Sequence, residues 1–216
     1  KLIVTINSWK NEVIMKIAII GLGYVGNAMH SFFKDHYDVV FFDPAKKGSA
    51  TKSEINDCDL GVVCVPTPMA SDRSCDLSIV EETIGWLDTP LILLKSTVEL
   101  GTTERLKKKT GKSIVFSPEY CGESTYWSPY DFHTDVKETP FFIFGGDERD
   151  ASKMVDFFMP VVGPTKRYVK TDATSAELAK YMENSFYATK ITFCYEMKNI
   201  CDALGSDYNE VRELFL

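Results

Sequence analysis

The sequence predicts an α/β protein in which a doubly wound parallel sheet is followed by one long helix. Two observations carry this prediction. Short apolar runs rich in β-branched residues alternate with helical segments over most of the 216 residues, and parallel strands require crossover connections of this kind. After residue 172 the alternation stops, and a single stretch with helical spacing of its apolar residues runs to residue 204.

The apolar runs and the segments between them give the elements in order. Strands are predicted at 16–20, 38–42, 60–65, 91–95, 112–116, 141–144 and 166–170. Helices are predicted at 24–35, 78–87, 101–109 and 148–159, with a weaker one around Ser53. Because helices separate the strands, we expect them to cover both faces of the sheet.

The C-terminal part of the chain is predicted to be helical throughout. Apolar residues such as Leu178, Met182 and Phe186 recur at helical spacing along the helix 173–204. The stripe is widened nearly all round by Tyr181, Ile191, Cys194 and Cys201, so we expect the helix to need partners on several sides and to mediate self-association as a homodimer. Gly205 ends this helix, and another begins near Asp207. We divide the chain into an N-terminal extension (1–14), a first domain (15–172) and the long helix with the start of the next (173–216).

Composition excludes several classes of protein. The chain is 44% hydrophobic and 25% charged, which fits neither a disordered chain nor a coiled coil. Its 24 basic and 31 acidic residues give a net charge of −7, which argues against binding nucleic acid through bulk charge. Neither a membrane-spanning run nor a signal peptide is evident, so we expect a cytoplasmic protein without membrane contact. The six cysteines and three histidines form no metal-ligand motif, and no metal site is predicted.

A glycine-rich turn lies between the first predicted strand and the first predicted helix. It reads Gly21-Leu22-Gly23-Tyr24-Val25-Gly26. Glycines in this context permit a tight turn, close approach of the backbone to a pyrophosphate and close packing of the helix, whose N-terminal N–H groups bind the anion. The turn predicts a Rossmann-like domain in which Gly21, Gly23, Tyr24, Val25 and Gly26 contact a dinucleotide.

Asp43 ends the second predicted strand and indicates which dinucleotide binds. A carboxylate at this position accepts hydrogen bonds from the ribose hydroxyls of NAD and repels the 2′-phosphate of NADP. We therefore predict NAD as the cofactor, with Lys46 and Lys47 close enough to weaken the preference. The alternative is that Asp43 is only a turn residue before Pro44.

Further distinctive peptides also follow predicted strands. They are Val65-Pro66-Thr67-Pro68, Lys95-Ser96-Thr97 and Ser117-Pro118-Glu119. Open α/β sheets bind ligands at the carboxyl ends of their strands. We expect Pro66, Thr67, Ser96 and Thr97 to contact the cofactor, and the loop after the fifth strand to contribute two carboxylates, Glu119 and Glu123.

Lys180 and Asn184 are spaced i, i+4 on the long helix, so both side chains lie on one face. A solvated polar stripe is the simple interpretation. If the helix is largely buried, however, the ammonium and the amide are suited to stabilising a developing oxyanion.

Several motifs together resemble the N-terminal part of the UDP-glucose/GDP-mannose dehydrogenase family. They are GLGYVG at 21–26, VPTP at 65–68, CDLSIV at 75–80, KSTVELGTTE at 95–104, SPEYCGES at 117–124 and AELAKYMENSFYATKITFCYEM at 176–197. The resemblance implies oxidation of a nucleotide sugar, such as UDP-glucose, to the uronic acid in two hydride transfers to NAD. It also implies that Glu119 assists hydrolysis of an enzyme thioester, that Glu123 lies near the substrate, and that Thr97, Lys180 and Asn184 position the sugar, the water and the oxyanion.

The resemblance has two local departures and one larger gap. Glu99 stands where the family usually has proline, and Cys121-Gly122 replaces the usual pair after Ser-Pro-Glu. The family's nucleophilic cysteine belongs to a second domain that would follow residue 216. We therefore expect this chain to be the NAD-binding part of the enzyme, able to bind NAD but not to convert a nucleotide sugar by itself, unless Cys121 supplies the thiol.

Other functions remain open on the sequence alone. The substrate could be GDP-mannose or another nucleotide sugar. The chain could also be a β-hydroxyacid dehydrogenase-like enzyme, a class that shares the Lys-x-x-x-Asn helix but does not account for Glu119 and Glu123. A third possibility is a non-catalytic NAD-binding module that dimerises through the long helix.

Overall fold

One sheet organises the first part of the computed structural model, which describes residues 15–120 and 135–215. Its strands are β1 (Lys16–Ile20), β2 (Asp38–Phe42), β3 (Leu60–Val63), β4 (Ile92–Leu94), β5 (Ile114–Phe116), β6 (Phe141–Gly145) and β7 (Arg167–Thr171). The helices are α1 (Tyr24–Phe33), α2 (Lys52–Asn56), α3 (Ser78–Trp86), α4 (Thr102–Thr110), α5 (Glu148–Val162), α6 (Ala173–Leu204) and α7 (Tyr208–Phe215). The predicted elements are confirmed, with ends that differ by up to three residues.

The order of the strands places a reversal of winding between β1 and β3. Across the sheet the order is β2-β1-β3-β4-β5-β6-β7, and β1 to β5 pair in parallel. The chain leaves β1 toward β2 on one side and leaves β3 toward β4 on the other, so β1 and β3 flank the point where the direction of winding reverses. Ligands of open α/β sheets bind at the carboxyl ends of the strands at such a point.

β6 departs from the predicted all-parallel sheet. It pairs with β5 in the antiparallel direction through Phe116 and Gly145, and β7 then runs parallel to β6. Among the described residues between β5 and β6, the only helical element is the short 3₁₀ helix Val136–Glu138. A parallel pair requires a crossover, usually helical, and an antiparallel pair does not. The carboxyl ends of β6 and β7 therefore point away from the edge where β1 to β5 end.

The core has two layers because successive side chains of each strand point to opposite faces. On one face, side chains such as Ile19 and Val62 pack against α1 and α5, where Phe32, Phe33 and Phe158 form an aromatic cluster. The other face packs mainly against α3 and α4. Its buried residues include Ile20, Val63, Leu94, Phe116, Val80, Ile84 and Leu106. Helices on both faces confirm the doubly wound arrangement.

The long helix α6 has the predicted bounds, but its apolar side chains are not buried as expected. The chain divides into two compact units, residues 1–177 and 178–216. In the second unit, Leu178, Met182 and Phe186 are 51%, 74% and 61% exposed. The described part of this unit contains only the remainder of α6 and α7, so too few elements are present to cover an apolar surface that extends round the helix. No helix in the described residues is long and apolar enough to cross a membrane.

The first turns of α6 belong to the first unit and are held there by a buried carboxylate. Glu177 is completely buried and accepts hydrogen bonds from the backbone N–H of Gly101 (2.6 Å) and from the N–H and hydroxyl of Thr103 (2.9 and 2.7 Å). These N–H groups lie at the N-terminus of α4, where a negative charge is stabilised by unsatisfied donors and the helix dipole. Glu177 therefore caps α4 from a distant part of the chain.

We predict that Glu177→Ala lowers the free energy of unfolding by about 2–4 kcal/mol, because three donors around a buried site lose their acceptor. Glu177→Gln keeps one acceptor oxygen and should lose less. Urea denaturation measures both changes. Glu148→Ala is the control, since that side chain is 76% exposed in the first turn of α5; a Glu177→Ala loss no larger than that of the control would contradict the prediction.

Candidate functional site

The glycine turn after β1 is shaped by two close approaches. Gly21 has a φ of +86°, its N–H donates to the carbonyl of Phe42 (2.9 Å), and a Cβ there would lie 2.7 Å from the carbonyl oxygen of Cys64. A Cβ at Gly26 would overlap the carbonyl oxygen of Gly21. Any side chain at either position would push α1 away from the ends of β1 and β3.

The N-terminus of α1 is suited to binding an anion. Gly23 is the N-cap residue, no side chain caps this helix end in the described structure, and no acidic residue lies in the first turn. Gly23 is exposed, and a Cβ there would meet nothing within 4 Å. Space for a ligand group therefore exists where the helix N–H groups begin, as a dinucleotide pyrophosphate requires. The residues present fit NAD.

Asp43 forms the contacts of a turn residue and also reaches into the glycine turn. Its Oδ1 accepts the backbone N–H of Ala45 (2.9 Å), as a turn residue does, and its Oδ2 accepts the backbone N–H of Leu22 inside the glycine turn (2.8 Å). Each carboxylate oxygen can accept more than one hydrogen bond, so ribose hydroxyls can still bind. Asp43 is half-buried, whereas Lys46 and Lys47 are exposed. The carboxylate thus lies beside the predicted pyrophosphate site.

The loops after β3 and β4 are joined by side-chain hydroxyls. Thr67 Oγ1 donates to the carbonyl of Thr97 (2.8 Å), and Ser96 Oγ donates to the carbonyl of Val65 (2.6 Å). These bonds bring Pro66, Thr67, Ser96 and Thr97 together at the sheet edge. The hydrogen bonds donated by Thr67 and Ser96 hold the two loops to each other. Contact of all four residues with the cofactor stays a prediction.

Glu99 shows what the unexpected carboxylate in the β4 loop does. Its Oε1 accepts the backbone N–H of Cys75 (3.2 Å), at the end of a short hairpin in which Met69 and Cys75 form a β-bridge. The thiol of Cys75 also lies 3.9 Å from the carbonyl oxygen of Thr97. A proline side chain could not accept this bond, so the departure from the family pattern adds a tie between the two loops.

Lys95 and Glu119 form a buried ion pair at the same edge. The Nζ of Lys95 lies 3.2 Å from Glu119 Oε2, and the two side chains are 4% and 12% exposed. Glu119 was predicted from the sequence as a site residue, and Lys95 was not. The available signal was a lysine directly after the buried run Leu91 to Leu94, because a charge in that position must find a partner.

Cys64, which was not predicted as a site residue, directly follows β3 and lies near Lys95 and Glu119. The pKa of the Cys64 thiol is raised to about 12, mainly by burial; the ammonium of Lys95 lowers it and the carboxylate of Glu119 raises it by smaller amounts. A thiol with such a pKa stays protonated at neutral pH and is a poor nucleophile. Cys64 therefore does not replace the nucleophilic cysteine that the family resemblance implies.

The remaining predicted residues lie elsewhere. Lys180 and Asn184 belong to the second unit, where Lys180 Nζ pairs with Glu183 Oε2 at 2.9 Å. The Lys180 side chain is 14% exposed, and Asn184 is exposed rather than buried. Glu123 and Cys121 lie outside the described residues. Among the described residues, no group of three or more His, Cys, Asp or Glu side chains is arranged to hold a metal ion.

We predict that Asp43→Asn weakens NAD binding by about 1 kcal/mol or more and leaves NADP binding less affected, because the variant removes a charged acceptor for the ribose. Calorimetric titration with both cofactors measures the difference. Asp38→Asn is the matched control, since Asp38 lies at the opposite end of β2. Equal affinity of the unmodified protein for NAD and NADP would refute the assignment.

A second prediction concerns thiol reactivity. Burial raises the pKa of Cys58 to about 11 and that of Cys64 to about 12, so neither thiolate is populated at about pH 8. Brief iodoacetamide treatment followed by peptide mass spectrometry should label the exposed Cys194 and spare Cys58 and Cys64. Rapid labelling of Cys64 in the folded protein would show that its thiol is activated.

Comparison with known proteins agrees with the resemblance found in the sequence. Residues 45–156 match the model for the NAD binding domain of the UDP-glucose/GDP-mannose dehydrogenase family, and residues 174–216 match the model for the central domain of the same family. The first match alone covers more than half of the chain.

Similar individual proteins bear related names. The UDP-glucose 6-dehydrogenase AglM of Haloferax volcanii is 27% identical over 252 residues, covering 92% of this chain and 57% of that protein. The UDP-N-acetyl-D-mannosamine dehydrogenase of Methanocaldococcus jannaschii is 26% identical over 242 residues, covering 95% of this chain and 56% of that protein.

A solved structure supports the fold. The UDP-glucose dehydrogenase of Pyrobaculum islandicum superposes with a TM-score of 0.79 at 25% identity, covering 95% of this chain and 57% of that one. The chain thus spans a little over half the length of the relatives it matches. It belongs to the UDP-glucose/GDP-mannose dehydrogenase family, and it contains that family's NAD-binding domain.

Proposed function

We propose that this chain is the NAD-binding part of an enzyme that oxidises the 6-hydroxymethyl group of a nucleotide sugar to a carboxylate, with UDP-glucose as the first candidate substrate. The observation that carries the proposal is the Glu119 carboxylate, 12% exposed and paired with Lys95, at the same sheet edge as the glycine turn. A carboxylate held beside a dinucleotide site is suited to moving a proton during an oxidation.

The chemistry needs two hydride transfers and one hydrolysis. Each oxidation removes a hydride from the sugar carbon and a proton from the oxygen on that carbon, and NAD would supply the hydride acceptor when bound. The glycine turn and the N-terminus of α1 hold the pyrophosphate, and Asp43 holds the ribose. Glu119 accepts a proton from the water that hydrolyses the enzyme thioester implied by the family resemblance.

Other residues position the reacting groups in this proposal. Thr97 and Glu123 orient the sugar from the loops after β4 and β5. Lys180 and Asn184 donate to the oxyanion that forms when water attacks the thioester carbonyl. The Lys180–Glu183 ion pair at 2.9 Å fixes where the ammonium lies along α6.

The names of the relatives favour a UDP-linked sugar. Proteins named for UDP-glucose and for UDP-N-acetyl-D-mannosamine match the chain at similar identity, so we keep both sugars as candidates. GDP-mannose is the alternative nucleotide sugar. A β-hydroxyacid dehydrogenase-like activity is less well supported, because it leaves the buried Lys95–Glu119 pair without a role.

The organisation of the protein is part of the proposal. We assign residues 15–172 to the NAD-binding domain and 173–216 to the beginning of the central helical region. The exposed apolar residues of α6, such as Met182 and Phe186, support a homodimer formed through this helix. We place the protein in the cytoplasm, where NAD and nucleotide sugars are available.

The test is to follow NADH absorbance with the whole protein, NAD and UDP-glucose, UDP-N-acetylmannosamine or GDP-mannose in separate reactions. We predict two NADH per sugar oxidised. Glu119→Gln should leave a burst of two NADH per enzyme site, because both hydride transfers precede hydrolysis, and should slow the later turnover by about 100-fold or more, because only the hydrolytic step needs the carboxylate.

Glu148→Gln, on the exposed start of α5, is the control and should turn over normally. Binding of NAD without NADH formation from any of the three sugars would refute the dehydrogenase proposal and favour a non-catalytic NAD-binding module. Loss of the burst together with turnover in Glu119→Gln would place Glu119 in the hydride steps instead.

A further inference from the structure

Lys95 lies in a row of residues that continues the sheet one step beyond its strands. Val63, Leu94 and Phe116 are register partners on β3, β4 and β5. The ladder continues, since the N–H of Lys95 donates to the carbonyl of Val63 and the N–H of Ser117 donates to the carbonyl of Leu94. Cys64, Lys95 and Ser117 therefore occupy the next register position.

This position places an ammonium group at the end of an apolar face. Side chains alternate along a strand, so the row of Lys95 shares the face of Leu93 and Val115, which is covered by α1 and α5. Lys95 is only 5% exposed. Burial of a charged group is costly unless hydrogen bonds and an opposite charge compensate it. Lys95 therefore needs polar or charged partners that an apolar residue in its place would not need.

All the side-chain partners found for Lys95 belong to one short segment. Its Nζ lies 3.2 Å from Glu119 Oε2, 3.1 Å from the carbonyl oxygen of Pro118 and 3.5 Å from Ser117 Oγ. The other carboxylate oxygen of Glu119 accepts the backbone N–H of Tyr120 at 2.8 Å. The ammonium thus donates hydrogen bonds to Ser117 and Pro118 and forms an ion pair with Glu119, so it contacts three consecutive residues.

A second largely buried lysine shows what a purely structural role looks like. Lys112 is 18% exposed and donates to the carbonyls of Ile84, Gly85 and Leu87, which end α3, while it pairs with Asp88. These contacts satisfy a helix C-terminus. They lie before β5 begins, at the end of the sheet away from the glycine turn. Lys95 differs because its charged partner, Glu119, lies at the carboxyl ends of the strands, where the glycine turn also lies.

We propose that Lys95 is a positioning residue that holds the Glu119 carboxylate as an oriented anion for the hydrolytic step. The inference rests on the proposed function. A carboxylate placed among apolar side chains would otherwise turn toward solvent or take up a proton. The ammonium prevents both, because it supplies the opposite charge from inside the sheet and fixes the direction of Oε2. The neighbouring Cys64 thiol does not compete as a counter-ion, since burial keeps its pKa near 12.

The test is a double-mutant cycle in the whole protein, with Lys95→Met, Glu119→Gln and the two combined. Lys95→Met should lower kcat for sugar oxidation by about 10-fold or more, with KM for the sugar falling alongside it because the thioester accumulates, while kcat/KM and Kd for NAD stay within about twofold. In the Glu119→Gln background the same change should alter kcat by less than about twofold, because the group through which Lys95 acts is already gone. Lys95→Arg, which keeps the charge, should restore most of kcat.

Urea unfolding of the same variants gives a readout that does not depend on activity. Each single change leaves a buried partner uncompensated, so the midpoints of both single variants should fall, and the double variant should fall by less than the sum. If Lys95→Met alone does not fold but the double variant, which carries neither charge, does fold, the recovery of folding shows the same coupling between residues 95 and 119. If neither folds, the cycle is run with Lys95→Arg. Lys112→Met should lower the midpoint and leave kcat unchanged.

Additive effects of the two changes, on kcat and on the unfolding midpoint, would overturn the inference. The inference would also be overturned if the unmodified protein is active and Lys95→Met has the same kcat. In that case the proposed function stands. If the parent oxidises no nucleotide sugar, the proposed function fails. The role in hydrolysis then fails with it, and coupling in the unfolding cycle would show only that Lys95 and Glu119 stabilise each other.

Discussion

The close approach of Gly21 to the carbonyl oxygen of Cys64 is the constraint on which the sheet edge depends. A Cβ on Gly21 would lie 2.7 Å from that oxygen, and the φ of +86° is unfavourable for residues with a side chain. The chain can therefore turn from β1 into α1 directly above the end of β3. This turn brings the N-terminus of α1, the carboxylate of Asp43 and the loop after β3 together at the carboxyl ends of β1, β2 and β3.

Buried charges define the rest of that edge, and each has a partner distant in the sequence. Lys95 pairs with Glu119 across neighbouring strands, and Glu177 caps α4 through Gly101 and Thr103. Such groups contribute little net stability when paired, but removing one partner leaves an uncompensated charge. The result is that the loop bearing Glu119 and the beginning of α6 are both tied to the NAD-binding unit by interactions with strict geometry.

The two units differ in how much of their apolar side-chain surface is buried. The sheet of the first unit is covered on both faces, and its core side chains such as Ile19 and Phe116 are completely buried. The second unit leaves Met182 and Leu204 about three-quarters exposed, at 74% and 76%. Burial of apolar surface is the main favourable contribution to folding, so in the described residues the second unit gains less from it than the first.

Local elements and the kind of cofactor site could be predicted from neighbouring residues in the chain. β1, β2 and α6 have the predicted bounds, because strand and helix periodicity and Gly205 are local signals, and the glycine turn is predictable from residues that adjoin in the chain. The antiparallel direction of β6, the partner of Lys95, the cap supplied by Glu177 and the exposure of α6 could not be predicted in this way. These depend on residues far apart in the chain, such as Lys95 with Glu119 and Gly101 with Glu177. No local pattern encodes which distant groups meet, because that is settled by how the strands and helices pack.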